Sequence, residues 1–189
     1  LNRFDAQDAT YNMPIALRVR GPLDTEALRT ALADVVARHE PLRTLFPESD
    51  GVPRQEVVAA DEAACSWDVV DAAQWTEADV EAALGRAARH PFDLTREFPL
   101  RTTVFRISDR EHVLAGVIHH VAADGWSIGP LMADLNHAYV SRCAGVTPRW
   151  TELPVQYVDY TLWQRDMLGD PEDASSLIGA QLAYWLDAL

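Results

Sequence analysis

PLRTTVFRISDREHVLAGVIHHVAADG, residues 99–125, is the stretch of sequence that decides the fold. Residues 99–107 and 111–121 predict two strands, and the polar link Ser108-Asp109-Arg110 is typical of a hairpin. The second strand is almost wholly apolar, so we expect it to be central in its sheet and buried on both faces. The rest of the chain must then supply neighbouring strands and covering helices.

The flanking segments predict a mixture of strands and helices. Strands are predicted over 15–20, 42–46 and 53–58, and helices over 25–39, 76–89, 127–142, 155–168 and 175–188. Asp24 is a predicted N-cap, and Thr76 with Asp79 resembles a capping box. Because strands and helices do not alternate regularly, the fold class is α+β or mixed α/β, with helices packed on one sheet.

Composition excludes several classes of protein. The 189 residues are 48% hydrophobic and 24% charged, which is typical of a globular chain rather than a disordered one. A net charge of −13 argues against binding to nucleic acid or to an anionic membrane. No apolar run approaches the roughly 20 residues that span a bilayer. Cys65 and Cys143 stand apart, without zinc-ligand spacing, which fits a reducing cytoplasm.

The candidate site is HHVAADG, residues 119–125, where the central strand ends and a helix begins. Side chains alternate across a strand, so His119 and His120 should point to opposite faces of the sheet. A neutral imidazole facing a tunnel can take a proton from an amine, alcohol or thiol near pH 7. Gly125 supplies freedom for the turn and lets the backbone approach a ligand closely. The alternative is a hydrogen-bonded histidine pair at the edge of a core.

Two other chemistries fit the sequence poorly. A metal site needs two or three converging ligands, whereas adjacent strand histidines diverge and Asp124 alone does not compensate. A nucleophilic Ser127 would need a strained elbow such as GxSxG, which the sequence lacks. We therefore expect no metal, and we interpret Ser127 as a residue of the first helical turn.

These residues resemble the nonribosomal peptide synthetase condensation domain, a family of the chloramphenicol acetyltransferase-like superfamily. Residues 119–127 (HHVAADGWS) are similar to its HHxxxDG signature. Residues 38–46 (RHEPLRTLF) resemble its RHExLRTxF motif, and residues 157–164 (YVDYTLWQ) resemble YxDYAxW with Thr161 in place of Ala. Residues 11–14 (YNMP) with 21–24 (GPLD) resemble the opening of the family.

The resemblance implies one half of a two-lobed pseudo-dimer. Residues 1–189 would be the N-terminal lobe, with the start of that lobe and the whole C-terminal lobe absent. The fold expected is a mixed sheet flanked by helices.

The resemblance also implies roles for the site residues. His120 would face the reacting centre as general base or positioning group, and the N–H of Gly125 could bind an oxyanion. Asp124 would be structural, paired with Arg43 or alternatively Arg38. His119 would serve structure, and Trp126 and Ser127 would line the channel or brace the helix start.

Partners follow from the same resemblance. The upstream donor and downstream acceptor peptidyl carrier proteins would deliver substrates on 4′-phosphopantetheine, with an adjacent adenylation domain and no cofactor bound by this lobe. The implied activity is amide-forming acyl transfer, with the isolated lobe inactive. The alternatives are a non-catalytic recruitment platform, and an ester-forming or stand-alone acyltransferase of the same superfamily.

Overall fold

The computed structural model describes residues 9–189, and the chain divides into two compact units, residues 1–150 and 151–189. In the first unit a 3₁₀ turn (Glu40–Arg43) precedes the second strand. The strands of this unit are β1 (Asn12–Arg20), β2 (Thr44–Leu45), β3 (Glu48–Ser49), β4 (Val52–Pro53), β5 (Glu56–Val57), β6 (Ser66–Asp71), β7 (Leu100–Ser108) and β8 (Glu111–His119). Its helices are α1 (Thr25–Arg38), α2 (Glu77–Ala88) and α3 (Ile128–Cys143).

A four-stranded sheet in the order β1-β8-β7-β6 forms the centre of this unit. The strand β8 pairs antiparallel with both β1 and β7, whereas β6 runs parallel to β7 at the sheet edge. The apolar strand β8 is therefore interior, and the predicted hairpin and central strand are confirmed. The mixed sheet also confirms the predicted fold class. The strand β6 was not predicted from the sequence.

Helices cover both faces of the sheet. On one face α1 and α3 pack over Leu100 and Ile118, and Val35 of α1 is fully buried there. On the other face α2 packs over Phe105 and Val113. Burying a side chain such as Val35 or Ile118 contributes roughly 1.5–3 kcal/mol. Alternation along β8 therefore separates its even-numbered residues, under α1 and α3, from its odd-numbered residues, under α2.

The predicted helix starts are confirmed in atomic detail. Asp24 Oδ1 accepts hydrogen bonds from the N–H groups of Glu26 and Ala27, at 3.1 and 2.9 Å. At α2, Asp79 N–H donates to the Thr76 hydroxyl at 3.2 Å, while Thr76 N–H donates to the Asp79 carboxylate at 2.8 Å. These side chains satisfy backbone donors that have no partner within the helix.

The predicted strands over 42–46 and 53–58 are largely wrong. Leu42 and Arg43 belong to the 3₁₀ turn, and only the two residues of β2 pair with the two residues of β5. The cause is local, because Pro41 fixes a helical φ at the start of the turn. The hydroxyl of Thr44 then donates to the Glu40 carbonyl at 2.8 Å, which closes the turn before extended pairing begins.

The second unit contains the helices α4 (Tyr157–Leu168) and α5 (Leu177–Ala188), close to their predicted positions. Gly179 is required in α5, since a Cβ there would lie 2.2 Å from the Asp173 carbonyl oxygen. Both helices carry exposed aromatic side chains, including Trp163 and Trp185. Across residues 9–189, every helix is too short or too polar to cross a membrane.

Candidate active site

The site lies where the interior strand of the sheet ends. The strand β8 stops at His119, two residues before the predicted end at Val121. The N–H of His120 still donates to the Tyr11 carbonyl at 2.8 Å, which extends pairing with the β1 side by one bond. The Ala122 N–H then turns back to the His119 carbonyl at 3.0 Å. Residues 120–127 form the connection into α3.

His119 is buried on the α2 face of the sheet. Its ring lies between Tyr11 and Phe92, with centroid distances of 6.1 and 5.9 Å. Its Nδ1 accepts a hydrogen bond from the Val121 N–H at 3.1 Å. Burial lowers the pKa of His119 from 6.5, and the nearby His120 lowers it further. His119 is therefore a neutral ring that fixes the backbone on both sides of His120.

The tautomer of His119 follows from this contact. Because Nδ1 accepts, the ring proton is on Nε2. That Nε2 is buried and has no hydrogen-bond partner within residues 9–189. Asn12 lies opposite His119 in the register of β1 and β8. Its side chain donates to the carbonyls of Ala88 and His90 at 2.9 and 2.8 Å, which fixes the loop that carries Phe92. The ring of His119 is thus held by packing and by one hydrogen bond.

His120 differs from His119 in exposure. Its side chain is exposed, whereas His119 is 7% exposed. The structure therefore brings one imidazole to the surface at the end of the central strand. An accessible imidazole can accept and return a proton, and it can donate a hydrogen bond to a substrate.

Asp124 and Ser127 form a reciprocal turn before α3. Both the N–H and the hydroxyl of Ser127 donate to Asp124 Oδ1, at 2.9 and 2.7 Å. The Asp124 N–H donates to the Ser127 hydroxyl at 3.1 Å. The Ser127 hydroxyl is the main cause that lowers the pKa of Asp124 below 3.8. These bonds lie directly before α3, and the role of Ser127 in lining the channel or bracing the helix start stays a prediction.

The predicted ion pair of Asp124 with Arg43 or Arg38 is wrong for this structure. Arg43 lies 3.6 Å from Glu40 and donates to the carbonyls of Ala37 and Val58. Asp124 is exposed, and within residues 9–189 its hydrogen bonds are local ones of the 124–127 turn. A short turn satisfies the carboxylate with neighbours in sequence, so a distant arginine is not needed to hold it.

Arg38 instead joins α1 to α3. Its Nε lies 2.9 Å from Asp134, and its guanidinium lies 4.9 Å from the centre of the Trp150 ring. His39 Nε2 contacts the same Asp134 oxygen at 2.8 Å. Arg38 and His39 therefore support the layer of helices above the sheet.

Gly125 and Trp126 are both exposed. The φ of Gly125 is not positive, and a Cβ there would meet nothing within 4 Å. The predicted need for glycine in the turn is therefore wrong within this structure; close approach of a ligand to its backbone stays a prediction. The Trp126 side chain is 90% exposed, so it braces none of the described residues of the first unit.

Sequence reasoning missed three residues that shape the site. Tyr11, Asn12 and Phe92 hold the His119 ring and the His120 backbone in the contacts described above. The YNMP motif contains two of them, so the motif was a usable signal. Phe92 had no signal, because it reaches the ring from a distant loop. Within residues 9–189 no cluster of three or more His, Cys, Asp or Glu is arranged to hold a metal ion.

The mixed sheet is covered by helices, and an exposed histidine of HHxxxDG follows its interior strand; this is the arrangement of a chloramphenicol acetyltransferase-like lobe. The family model for the condensation domain matches residues 1–189, and the chain belongs to that family. Its relatives include nonribosomal peptide synthetases.

Two relatives illustrate this. The isonitrile lipopeptide synthase of Mycobacterium tuberculosis is 60% identical over 189 residues, which is 100% of this chain and 8% of that protein. The dimodular nonribosomal peptide synthase of Bacillus subtilis is 44% identical over 189 residues, again 100% of this chain and 8% of that protein. The chain thus spans a small part of these relatives.

Solved structures agree with the fold. The X-domain from teicoplanin biosynthesis is 38% identical with a TM-score of 0.85, over 96% of this chain and 40% of that one. The starter condensation domain of rhizomide synthetase RzmA is 19% identical with a TM-score of 0.80, over 99% of this chain and 46% of that one. The second likeness supports the fold alone.

Proposed function

We propose that this chain is the N-terminal lobe of a condensation domain, and that the complete domain joins two carrier-bound substrates through a peptide bond. The donor and acceptor arrive as thioesters on the 4′-phosphopantetheine arms of upstream and downstream peptidyl carrier proteins. An adjacent adenylation domain supplies the activated amino acid. The observation that carries the proposal is the exposed His120 imidazole at the end of β8, within the family signature.

The reaction assigned to His120 is proton transfer during acyl transfer. The neutral α-amine of the acceptor attacks the donor thioester carbonyl, a C–N bond forms, and His120 takes the amine proton. The tetrahedral intermediate collapses with loss of the thiolate, which receives that proton. An α-amine has a pKa near 8, so roughly a tenth is already neutral at pH 7. Proton transfer to a general base typically accelerates a reaction by about 10²–10⁴-fold. Positioning of the reactants alone supplies part of the acceleration.

The remaining residues support that geometry. His119 holds the backbone beside His120 through the Val121 N–H. Asp124 and Ser127 set the path of the chain into α3. The N–H of Gly125 is the candidate donor to the oxyanion of the tetrahedral intermediate, because a glycine there leaves the backbone open.

The test is a condensation assay on a complete domain that carries these residues. Loaded donor and acceptor carrier proteins are mixed with the domain, and dipeptide is measured by mass spectrometry. His120→Ala should lose about 10²–10⁴-fold in single-turnover rate. Residues 1–189 alone should form no dipeptide, because the other wall of the tunnel is the C-terminal lobe. A full rate from either protein contradicts the proposal.

A recruitment platform is the second candidate function. It is favoured by the likeness to the X-domain, one structure of which is a complex with OxyB at 39% identity and a TM-score of 0.84. The retained His120 argues against this alternative. Dipeptide formation that depends on His120 decides for catalysis, whereas an inert complete domain that binds a tailoring enzyme decides for the platform. A hydroxyl acceptor in the same assay tests ester formation.

A further inference from the structure

Residues 89–99 connect α2 to β7 and pass beside the end of β8. Two of their contacts reach His119 directly. The Phe92 ring packs edge-on against the His119 ring with centroids 5.9 Å apart, and the Pro99 carbonyl accepts from the His119 N–H at 2.9 Å. The path of this connection therefore helps to set where His119 lies, and with it the backbone of His120.

The Glu97 side chain closes this connection into a loop. Its Oε1 accepts from the Asp93 N–H at 2.7 Å, and the Glu97 N–H donates to the Asp93 carbonyl at 2.9 Å. The Nε2 of His90 lies 3.1 and 3.0 Å from the two carboxylate oxygens of Glu97. Because an ionised carboxylate only accepts, His90 Nε2 carries a proton and donates it. Glu97 thus joins chain on both sides of Phe92.

His90 contacts two residues that hold the His119 ring. Its own ring meets the Phe92 ring at 87°, with centroids 4.9 Å apart. Its carbonyl accepts from the Asn12 side chain at 2.8 Å, and Asn12 lies opposite His119 in the sheet. Phe92 is in turn buried against Val117 of β8. A displacement of His90 would therefore disturb the packing of the His119 ring from two directions.

The exposure of this pair favours a geometric role over a stabilising one. The side chains of His90 and Glu97 are 27% and 28% exposed, and Arg101 lies 3.5 Å from Glu97 on the solvent side. Ion pairs in contact with solvent add little to stability. The contacts of Glu97 are therefore better explained by the path that they impose on the loop.

We propose that Glu97, acting through His90 and this loop, is a positioning residue for the histidine pair of the site. It keeps the loop in the path that fixes His119, whose ring accepts the Val121 N–H beside His120. The inference rests on the proposed acyl transfer, since the position of His120 then controls the rate. Misplacement by about 1 Å through a distant mutation can cost about 10²-fold in rate.

The experiment uses a complete condensation domain that carries these residues. Single-turnover amide formation is measured with the domain in saturating excess over loaded carrier proteins. Glu97→Ala should lower the rate constant by roughly tenfold and leave the half-saturating acceptor concentration unchanged, because position and not binding is lost. Glu97→Gln should keep most of the native rate, because its amide oxygen can still accept from Asp93 and His90.

A spectroscopic measurement reports position without turnover. In a domain made with isotope-labelled histidine, the His119 ring signal is assigned by its loss in His119→Asn. It should shift in Glu97→Ala and return towards its native place in Glu97→Gln. Thr76→Ala is the matched control, since it removes the cap at the other end of α2. It should lower the melting temperature but leave the rate constant and the His119 signal unchanged.

The outcomes separate this inference from the proposed function. A His119 signal that shifts in Glu97→Ala, in a domain whose native form makes no amide, supports the positioning role and contradicts the reaction. A native rate constant in folded Glu97→Ala overturns the positioning role, and so does an equal loss of rate in Thr76→Ala. His90→Phe keeps a ring against Phe92 but removes the donor to Glu97, so it should lose rate even if Glu97→Ala does not fold.

Discussion

Replacing His119 should cost mainly stability, and replacing His120 should cost mainly activity, for different physical reasons. His119→Ala removes a buried ring from between Tyr11 and Phe92 and removes the acceptor of the Val121 N–H. Loss of the packed ring costs about 3 kcal/mol, and loss of the hydrogen bond costs about 1 kcal/mol. The substitution also removes the buried Nε2–H, which has no partner among the described residues. This removal should raise the free energy of unfolding by about 1–2 kcal/mol. The net loss should be roughly 2–3 kcal/mol.

The amide variants separate the hydrogen bond from the ring. In His119→Asn the side-chain oxygen lies where Nδ1 was and can still accept from Val121. In His119→Gln the amide lies where Nε2 was and leaves the Val121 N–H without its acceptor. Both variants lose the ring, so they differ only in the hydrogen bond from Val121. The His119→Asn variant should therefore be more stable than the His119→Gln variant by about 1 kcal/mol. His120→Ala removes an exposed side chain and should change stability by less than about 0.5 kcal/mol.

The assay pairs urea unfolding with single-turnover condensation for the four variants in a complete domain. His119→Asn should keep more of the native rate than His119→Gln, because the backbone beside His120 stays fixed. Equal stability of Asn and Gln would show that the Val121 hydrogen bond has no energetic role. An inactive, fully stable His119→Ala together with an active His120→Ala would reverse the assignment of the two rings.

Three further outcomes follow from the described contacts. Asp124→Ala should lower the melting temperature, and Asp124→Asn should lower it less, because an amide oxygen can still accept from Ser127. If both variants melt at the same temperature as the native protein, Asp124 does not stabilise the 124–127 turn. Because burial lowers the pKa of His119, the unfolded chain binds its proton more readily, so the free energy of unfolding should fall as pH drops below 6.5. The His119→Asn variant should lack this contribution to the pH dependence. An unchanged slope of its unfolding free energy against pH would contradict the role given to His119. Burial raises the pKa of the Cys65 thiol to about 12, so at pH 8 Ellman's reagent should titrate exposed Cys143 alone, and both thiols only in urea.

Local signals predicted the elements of this fold well. The apolar run of β8, the cap at Asp24 and the capping box at Thr76 each depend on residues close in sequence. The partners of Arg38 and Arg43 could not be predicted in the same way. Arg38 lies 96 residues from Asp134, and a guanidinium can reach many acceptors. The tertiary packing of α1 against α3 selects that partner, and sequence spacing carries no record of it.

The end of β8 was also beyond local prediction. Val121 continues the apolar run, so the sequence favours two more strand residues. The strand stops because the His119 ring captures the Val121 N–H, which would otherwise be free to pair with a neighbouring strand. A buried side chain can therefore end a strand by competing for its backbone. Such competition depends on the ring being held by Tyr11 and Phe92, and that is a tertiary property.

One strand thus carries two features that oppose its own stability. Gly116 weakens the interior of β8, and His119 places a ring with an unpartnered Nε2–H among the described core residues. Apolar neighbours on both faces offset these costs, since Val113, Ala115, Val117 and Ile118 are each less than 5% exposed. The strand can tolerate the two features because it is interior and paired on both edges. An edge strand such as β1 or β6 lacks that support, so the same residues there would leave the end of the strand, and with it the His120 imidazole, without a fixed position.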